Sequence, residues 1–563
     1  MRITFCTLGC KLNFAESSAI GKALLGLGHV RAKQGETADV VVLNTCSVTD
    51  AADHKGRQAI HRLRRQHPQA VLIVTGCYAA LKGQEIMAMP EVDYVVGANE
   101  KDRVVEIVER LDEGCSLDEG LRIKDERRNS ADSDFSAPNT AGEAPASSVI
   151  AGEDACAPGH SAGETPLSSV IAGEDACAPG QSAGETPASP GALQHGAAWR
   201  PHLLEGDTRQ ESFFPACSWD DRTRCFLKVQ DGCNYFCTYC TIPLARGRSR
   251  NASIADIVAQ AEQALRDGAR EIVLTGVNIG DFGRSTSERF IDLLRALDAL
   301  DEGLRIKDER LNSSDLDVSA SNVHTAGETP ASPLPPCPLP PSSQAVRGSV
   351  PASPVGSPSS CVLHPVFDYR IRISSCEPNL LTDEVIDFVA NSKHFAPHFH
   401  IPLQSGNNEM LKIMHRHYDR ELFAERVAHI RERMPNAFIG VDCMVGVRGE
   451  TEERWEDYLA FVKQLDVSQL HVFTYSERAN TRMLEMDLYV VPKKERERRS
   501  KMLHAVSAEK LQAFYAKHQG EEATVLWEGK KEDGMMAGFT ENYIKVHAPY
   551  DKAKVNTFEV VRI

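Results

Sequence analysis

The sequence lacks any apolar stretch long enough to span a bilayer, and it lacks a charged-then-apolar signal peptide at its start. These absences predict a cytoplasmic protein that does not act at a membrane. Apolar residues nevertheless make up 42% of the 563 residues. That content is enough for buried cores, and the length predicts about three domains rather than one.

A positive net charge is also missing, which at first argues against an enzyme that handles nucleic acid. The chain carries a formal charge of −16 at pH 7. The acidic residues are unevenly spread: residues 112–200 carry a net −10 and residues 301–361 a net −3, which leaves −3 for the remainder. Local basic patches in that remainder can still attract RNA, so the charge does not exclude RNA as a partner.

The two acidic stretches differ from the rest of the chain in composition. They are rich in Ser, Pro, Ala, Gly and Glu, and the run at 117–127 recurs identically at 300–310. Because these repeats have too few apolar residues to stack as a solenoid, we predict two disordered segments. A tolerated insertion and an adaptor role both fit such segments. Cys156, Cys177 and Cys337 lie inside them and are excluded as metal ligands.

Sixteen cysteines are dispersed along the chain, which in the absence of an export signal favours metal ligation over a disulfide scaffold. Cys233, Cys237 and Cys240 have the spacing C-x3-C-x2-C and follow a strand-like run at 225–230. Three thiolates can hold three irons of a 4Fe-4S cubane and leave the fourth iron open. A structural zinc site is the alternative, but it would need a fourth Cys or His in a second knuckle.

This spacing after a strand resembles the radical S-adenosylmethionine (SAM) superfamily. The resemblance implies that the open iron takes the amino and carboxylate groups of SAM. One electron from the cluster then cleaves SAM to a 5′-deoxyadenosyl radical.

A second set of three cysteines follows the first predicted strands of the chain. Cys10, Cys46 and Cys77 each stand where such a strand ends, with Gly or Asn close by. The C-terminal ends of parallel strands gather at one edge of a sheet, so three thiols can meet there and hold a second open cubane. Each cysteine taken alone is also explained as a small buried apolar residue.

Alternating strand-like and helical runs predict an α/β protein with three blocks. The first is a parallel α/β domain, and the second has six strand–helix units that predict a partial (β/α)6 barrel. The third reads as short strands of a small β-barrel of the oligonucleotide-binding (OB) kind. The predicted bounds are 1–111 for the first domain, 112–221 for an acidic linker, 222–488 for the barrel with an insertion at 301–366, 489–517 for a helical connector and 518–563 for the β-barrel.

The whole chain except the two acidic stretches resembles the methylthiotransferases. These enzymes join an N-terminal domain of this kind to a radical SAM barrel and a C-terminal TRAM domain, whose strand pair is similar to residues 538–546 here. The resemblance implies two 4Fe-4S clusters, SAM, and an auxiliary cluster on Cys10, Cys46 and Cys77 that carries the sulfur to be inserted. It also implies tRNA as substrate, a reductant such as flavodoxin or ferredoxin, and a sulfur donor.

Three branches of that family compete. Runs at 44–50, 242–247, 372–378 and 471–476 look most like the branch that acts on tRNA threonylcarbamoyladenosine, at carbon 2 of the base next to the anticodon. The other branches act on tRNA isopentenyladenosine and on an aspartate of a ribosomal protein. A function of another class, a non-catalytic iron–sulfur RNA-binding protein, is disfavoured because a structural cluster has no use for open iron positions.

Four further residues are candidates for SAM contacts, three of them at strand ends. Asn278 follows the second barrel strand, Gln404 and Ser405 end the fourth, and Arg246 follows the cluster loop, where it can meet the SAM carboxylate or RNA phosphate. None of the nineteen histidines is assigned a role.

Overall fold

A computed structural model describes residues 1–33, 35–114, 202–204, 213–218, 223–301 and 368–563. Nearly all of the two predicted disordered segments, with Cys156, Cys177 and Cys337, lies outside these ranges. None of the helices in the described ranges combines the length and apolar character that crossing a bilayer requires. Two of the dispersed cysteines, Cys217 and Cys225, pair as a disulfide.

The N-terminal domain is a parallel sheet flanked by helices. Its central strands are continuous buried apolar runs, as expected for strands covered on both faces. The six strands are ordered 2-1-3-4-5-6 and all pair in parallel. In chain order the elements are β1 (Arg2–Thr7), α1 (Lys11–Gly26), β2 (Val30–Arg31), β3 (Val40–Thr45), α2 (Asp50–Gln66), β4 (Val71–Gly76), α3 (Cys77–Met87), β5 (Tyr94–Val96), α4 (Arg103–Asp112) and β6 (His202–Leu204).

Strand β6 corrects one predicted boundary. It lies inside the stretch predicted as linker, 112–221, yet it pairs with β5 from Tyr94 to Val96. Residue Phe214 of the same stretch also packs against the core of this domain. The last strand of the first domain therefore comes from the part of the chain that follows the acidic segment. A domain boundary based on composition cannot detect this strand.

The central domain is the predicted half-barrel of six parallel strands. Strands β7, β10 and β11 form one group, strands β12, β13 and β14 another, and backbone contacts between Ser375 or Cys376 and His400 join the two groups. Its elements are β7 (Arg224–Lys228), β8 (Gln230–Asp231), α5 (Ile242–Arg246), β9 (Arg250–Asn251), α6 (Ile254–Arg266), β10 (Glu271–Thr275), α7 (Phe290–Asp298), β11 (Arg370–Ile373), α8 (Asp383–Asn391), β12 (His398–Gln404), α9 (Asn408–Ile413), α10 (Arg420–Arg433), β13 (Phe438–Val445), α11 (Glu452–Gln464) and β14 (Gln469–Thr474).

The two faces of the half-barrel differ in character because successive side chains on a strand point to opposite faces. The outer face carries residues such as Ile272, Ile401 and Val441, which join the main apolar core with the helices. The inner face carries the alternate residues, and most of those are polar. They include Arg224, Lys228, Glu271, Arg372, His398, His400, Asp442 and His471.

Helix α1 of the N-terminal domain packs into the inner face of the half-barrel. Ala15 of α1 lies in one apolar cluster with Phe226 of β7 and Val273 of β10. The next residue, Glu16, accepts from Lys228 Nζ at 2.9 Å. The two domains therefore share one buried interface, and α1 brings the chain around Cys10 to the open side of the barrel.

The C-terminal region is an antiparallel sheet, ordered 17-16-15-18, at the N-terminal ends of the barrel strands. Arg370 at the start of β11 donates to the Phe539 carbonyl at 3.0 Å, and Arg224 at the start of β7 pairs with Glu528. The long helix before the sheet packs on β14 through Ser507. The elements are α12 (Lys493–Lys517), β15 (Glu522–Glu532), β16 (Met535–Phe539), β17 (Lys545–Pro549) and β18 (Phe558–Arg562).

Candidate active site

Cys233, Cys237 and Cys240 lie in the loop that follows the first barrel strand. The loop starts at Gly232, whose φ of +70° and 2.0 Å clearance from an added Cβ to the Arg248 carbonyl admit no side chain. Backbone N–H groups of Tyr235 and Ile242 each approach a thiol, of Cys233 and Cys240 respectively, at 3.5 Å. Such contacts are suited to sulfur that carries negative charge.

Cys10, Cys46 and Cys77 meet at the C-terminal edge of the N-terminal sheet, as predicted from their strand-end positions. Cys10 is the N-cap of α1, Cys46 follows β3, and Cys77 opens α3 directly after β4. Gly9, at φ +116°, allows the close approach, because a Cβ there would come within 2.7 Å of Cys46 Cβ.

Burial opposes ionisation of most of these thiols in the protein alone. Burial, reinforced by the neighbouring Cys77 and Cys10 thiols, raises the pKa of Cys46 to about 12. Burial likewise raises the pKa of Cys233 to about 12 and raises that of Cys10. Because a metal-bound thiol is held as thiolate, bound iron would supply the positive charge that each site needs.

The spacing of the thiols distinguishes a cluster from a zinc ion. Within the described ranges, the one group of three potential ligands whose atoms all lie within 4.8 Å of one another is His400, Asp442 and His471. Neither cysteine triad is that compact. Three thiolates on a single zinc ion, each about 2.3 Å from the metal, would lie only about 3.8 Å apart. Both triads therefore fit a multi-iron cluster better than the zinc alternative.

In each triad, one thiol accepts a hydrogen bond from an arginine, and the two arginines are different. Arg246 Nε lies 3.4 Å from Cys77 Sγ in the auxiliary triad, which is Cys10, Cys46 and Cys77. Arg416 Nη1 lies 3.3 Å from Cys237 Sγ in the SAM triad, which is Cys233, Cys237 and Cys240. Arg416 also pairs with Glu377. Hydrogen bonds to cluster sulfurs are among the features that set a cluster's reduction potential. Sequence reasoning did not find Arg416, which meets Cys237 across 179 residues of chain.

Arg246 is also the centre of a buried ion network between the two domains. It binds Glu16 at 2.9 Å and Asp231 at 3.0 Å, and all three side chains are 1% exposed. Glu16 further accepts from Lys101 and Lys228. Burial favours the neutral acid, but the charges of Arg246 and both lysines outweigh it and hold the pKa of Glu16 well below its usual range. Arg246 thus lies beside the auxiliary triad, and all three of its guanidinium nitrogens donate to protein groups. The predicted contact of Arg246 with the SAM carboxylate or RNA phosphate does not fit this arrangement.

Three other predicted residues lie at strand ends and have side-chain atoms suited to a ligand. Asn278 is 3% exposed, and neither its Oδ1 nor its Nδ2 has a hydrogen-bond partner among the described residues. Gln404 has φ +62° at an irregularity in the pairing of β12, and its buried Oε1 is likewise unpartnered within the described ranges. Ser405 is buried and accepts from the Asn407 N–H. Unsatisfied buried amides are costly unless a ligand satisfies them, so Asn278 and Gln404 fit a cofactor contact.

Sequence reasoning missed the polar cluster His400, Asp442 and His471 on the inner face. Asp442 Oδ1 lies 2.7 Å from His400 Nε2 and 3.3 Å from His471 Nδ1. Burial favours the neutral acid, but both histidines outweigh it and lower the pKa of Asp442. The three residues lie on β12, β13 and β14, so only their shared inward positions could have linked them.

Comparison with known proteins agrees with both halves of this site. The uncharacterized protein family UPF0004 matches residues 2–97, and the radical SAM superfamily matches residues 227–331 and 364–462. The first region contains Cys10, Cys46 and Cys77, and the second contains Cys233, Cys237 and Cys240.

Relatives match over almost the whole chain. The chain is 29% identical over 549 residues to the threonylcarbamoyladenosine tRNA methylthiotransferase MtaB of Bacillus subtilis, covering 97% of this chain and 89% of the relative. The enzyme of that name from Aquifex aeolicus is 26% identical, with 97% and 96% covered. The tRNA-2-methylthio-N(6)-dimethylallyladenosine synthase of Staphylococcus aureus strain JH9 is 23% identical, with 99% and 81% covered.

Among solved structures, the radical SAM methyltransferase TsrM of Kitasatospora setae aligns with a TM-score of 0.44 at 12% identity, covering 84% of this chain and 74% of that one.

The two cysteine triads, the two matched domains and the full-length relatives lead to one assignment. The chain belongs to the radical SAM methylthiotransferase family.

Proposed function

We propose that this protein methylthiolates carbon 2 of threonylcarbamoyladenosine at position 37 of tRNA, next to the anticodon. The relatives that carry this activity in their names align with 97% of the chain. The isopentenyl branch is represented at 23% identity, so overall similarity alone does not decide between the two branches.

Two 4Fe-4S clusters and SAM are the cofactors of this family. When bound, they supply a carbon radical that can open an unactivated aromatic C–H bond, and the sulfur and methyl group that replace the hydrogen. Cys233, Cys237 and Cys240 would hold the SAM-cleaving cluster, and Cys10, Cys46 and Cys77 the auxiliary one. Asn278, Gln404 and Ser405 are proposed to contact SAM, and Arg246 to hold the auxiliary triad against the barrel.

The observation that carries the choice of branch is the polar inner face of the half-barrel. An isopentenyl group is a hydrocarbon, whereas a threonylcarbamoyl group has a urea, a hydroxyl and a carboxylate. A wall with His398, His400, Asp442 and Arg372 offers hydrogen-bond partners to the second group, whereas the first has no polar atom that could pair with any of them.

The C-terminal sheet is proposed to be the TRAM domain and to contact tRNA. Lys545 on β17 and Arg562 on β18 are exposed cations on this sheet. Phosphate contacts by such residues position RNA without reading its sequence. The tRNA substrate places the protein in the cytoplasm, where a small electron carrier and a sulfur donor would serve the clusters.

The test uses anaerobically reconstituted protein with SAM, a reductant and a sulfur source. Threonylcarbamoyl and isopentenyl tRNA are offered separately, digested, and their nucleosides weighed, with Cys233→Ala as the control that should not cleave SAM. A methylthio mass gain confined to the threonylcarbamoyl nucleoside supports the proposal, and a gain on the isopentenyl nucleoside overturns the branch. SAM cleavage without gain on either RNA would redirect the search to a protein acceptor such as a ribosomal aspartate. No SAM cleavage at all would favour a non-catalytic iron–sulfur RNA-binding protein.

A further inference from the structure

The polar cluster His400, Asp442 and His471 owes its compactness to the register of three neighbouring strands. Asp442 on β13 pairs in register with His471 on β14. His400 on β12 pairs with Gly440, which precedes Asp442 by two positions on β13 and shares its face. Gly440 has no side chain, and a Cβ there would lie 3.2 Å from the His471 ring. The His471 ring therefore has room to lie over Gly440, close to His400.

Three polar atoms of this cluster form a nearly equal-sided triangle. Asp442 Oδ1 lies 2.7 Å from His400 Nε2 and 3.3 Å from His471 Nδ1, and the two nitrogens lie 3.2 Å apart. The two imidazole rings are almost perpendicular, with an interplanar angle of 85°. Two nitrogen atoms and one carboxylate oxygen, each from a different strand, are thus close enough to share one binding partner.

Hydrogen bonds alone do not account for all three contacts. An imidazole nitrogen has either one N–H or one lone pair in the ring plane, and an ionised carboxylate oxygen only accepts. If both nitrogens carry protons, the 3.2 Å contact between them joins two donors. If one of them lacks a proton, its lone pair faces Asp442 Oδ1, which joins two acceptors. A cation between the three atoms would satisfy all of them at once.

The triangle has the size that a transition-metal ion requires. Zinc binds imidazole nitrogen and carboxylate oxygen at about 2.0–2.2 Å. A point about 2.1 Å from all three atoms exists about 1 Å from their plane, so an ion fits these positions. Two histidines and one carboxylate also form the ligand set of zinc sites that hold water or substrate in a fourth position. Because the three side chains extend inward from their strands, that fourth position faces the interior of the half-barrel.

We propose that His400, Asp442 and His471 bind a zinc ion, separate from the two cysteine triads. Imidazole ligands suit zinc rather than magnesium, calcium or manganese, and zinc binds such sites more tightly than iron(II). Zinc has no redox chemistry of its own, so it would act as a Lewis acid that binds water or an oxygen atom of the substrate. The same ion would be bound whichever nucleoside the enzyme modifies.

The experiment measures zinc binding by full-length protein with both clusters reconstituted to about eight irons per chain. Loose metal is removed with a chelating resin, zinc is added, and bound zinc and iron are counted by mass spectrometry. X-ray absorption at the zinc edge then identifies the ligands, since it does not detect the cluster irons. We expect one tightly bound zinc per chain, with nitrogen and oxygen ligands at about 2.0–2.2 Å and no sulfur at about 2.3 Å.

Asp442→Ala and His471→Ala should each weaken zinc binding by more than about 100-fold. Changes to the outer-shell partners of a metal ligand already cost about 10- to 100-fold, and these variants remove a ligand itself. His429→Ala is the matched control. His429 lies 3.2 Å from Asp387, in a pair that belongs to no compact three-ligand group among the described residues. This control should bind zinc as the wild type does, and iron content is recorded for every variant.

The outcomes either support the site or overturn it. Wild-type protein without tightly bound zinc would overturn it, and so would zinc with sulfur ligands, which would place the ion on cysteines. Equal zinc affinity in the wild type and both variants of the polar cluster would overturn it as well. If those variants lose iron, the ligands found in wild-type protein decide: two imidazoles support the site, and fewer overturn it.

Discussion

Arg246 Nε lies 3.4 Å from Cys77 Sγ and joins the barrel to a thiol of the N-terminal domain. The same guanidinium binds Glu16 and Asp231, so one side chain connects a cluster ligand, the helix inside the barrel and the strand before the other cluster loop.

Replacing Arg246 by Gln should leave Glu16 and Asp231 less compensated in a buried setting. Breaking such a network by removing one partner typically costs about 3–5 kcal/mol, which we expect as the loss in free energy of unfolding. Denaturant unfolding under anaerobic conditions measures it. Arg248→Gln, at an exposed position two residues away, is the matched control and should cost well under 1 kcal/mol. Similar losses for both variants would contradict the network's role.

Single cysteine substitutions should remove the clusters one at a time. Cys233→Ala and Cys77→Ala should each lower the iron content of the reconstituted protein from about eight to about four atoms. Cys376→Ala, a buried free cysteine outside both triads, should retain all of the iron. Iron and sulfide assays with visible spectra provide the measurement. Loss of all iron in either triad variant would mean that the two sites do not assemble independently.

Gly232→Ala should disrupt the SAM cluster loop. A Cβ at Gly232 would lie 2.0 Å from the Arg248 carbonyl, on top of the strain of a φ of +70°. Gly534→Ala shares the strain, at φ +80°, but meets nothing within 4 Å, so it should cost only about 1 kcal/mol. We expect loss of about four irons in the first variant and none in the second. Full iron in Gly232→Ala would show that the loop can shift to admit a methyl group.

Asp442→Asn should change how stability depends on acid. Asp442 has a lowered pKa in the folded protein, so its contribution is present above the unfolded value of about 3.9 and is lost as the pH falls through the lower folded value. The difference in unfolding free energy between wild type and Asp442→Asn should therefore be largest near neutral pH and shrink below about pH 4. Denaturant curves of the metal-free proteins across that range test it. A constant difference would mean that the two histidines do not hold the carboxylate in its charged form.

Much of the fold follows from local sequence. The strands Tyr94–Val96 and Glu271–Thr275 are examples, because each is a short run of buried residues with few alternatives to a strand. The coming together of both cysteine triads also follows, since parallel strands align their C-terminal ends. Strand β6 could not be predicted, because its three residues have no distinctive sequence pattern. Its pairing partner, β5, lies on the other side of the acidic segment in the sequence.

The chemistry inside the barrel could not be predicted in the same way. His400, Asp442 and His471 are ordinary residues on three strands, and barrel register alone brings them together. Glu16 looks like a surface glutamate in the sequence, because nothing local reveals that α1 packs inside another domain. Interactions that cross the domain interface depend on tertiary packing, which the pattern of a single segment does not contain.

The placement of α1 has a consequence for protein engineering. A barrel expressed without the first 111 residues would expose Lys228 and Arg246 with no Glu16 to neutralise them, so we expect it to be insoluble or misfolded. Chimaeras that exchange substrate specificity between relatives would have to transfer α1 together with the barrel strands it touches. Substrate specificity then depends on residues of both domains together rather than on either domain alone.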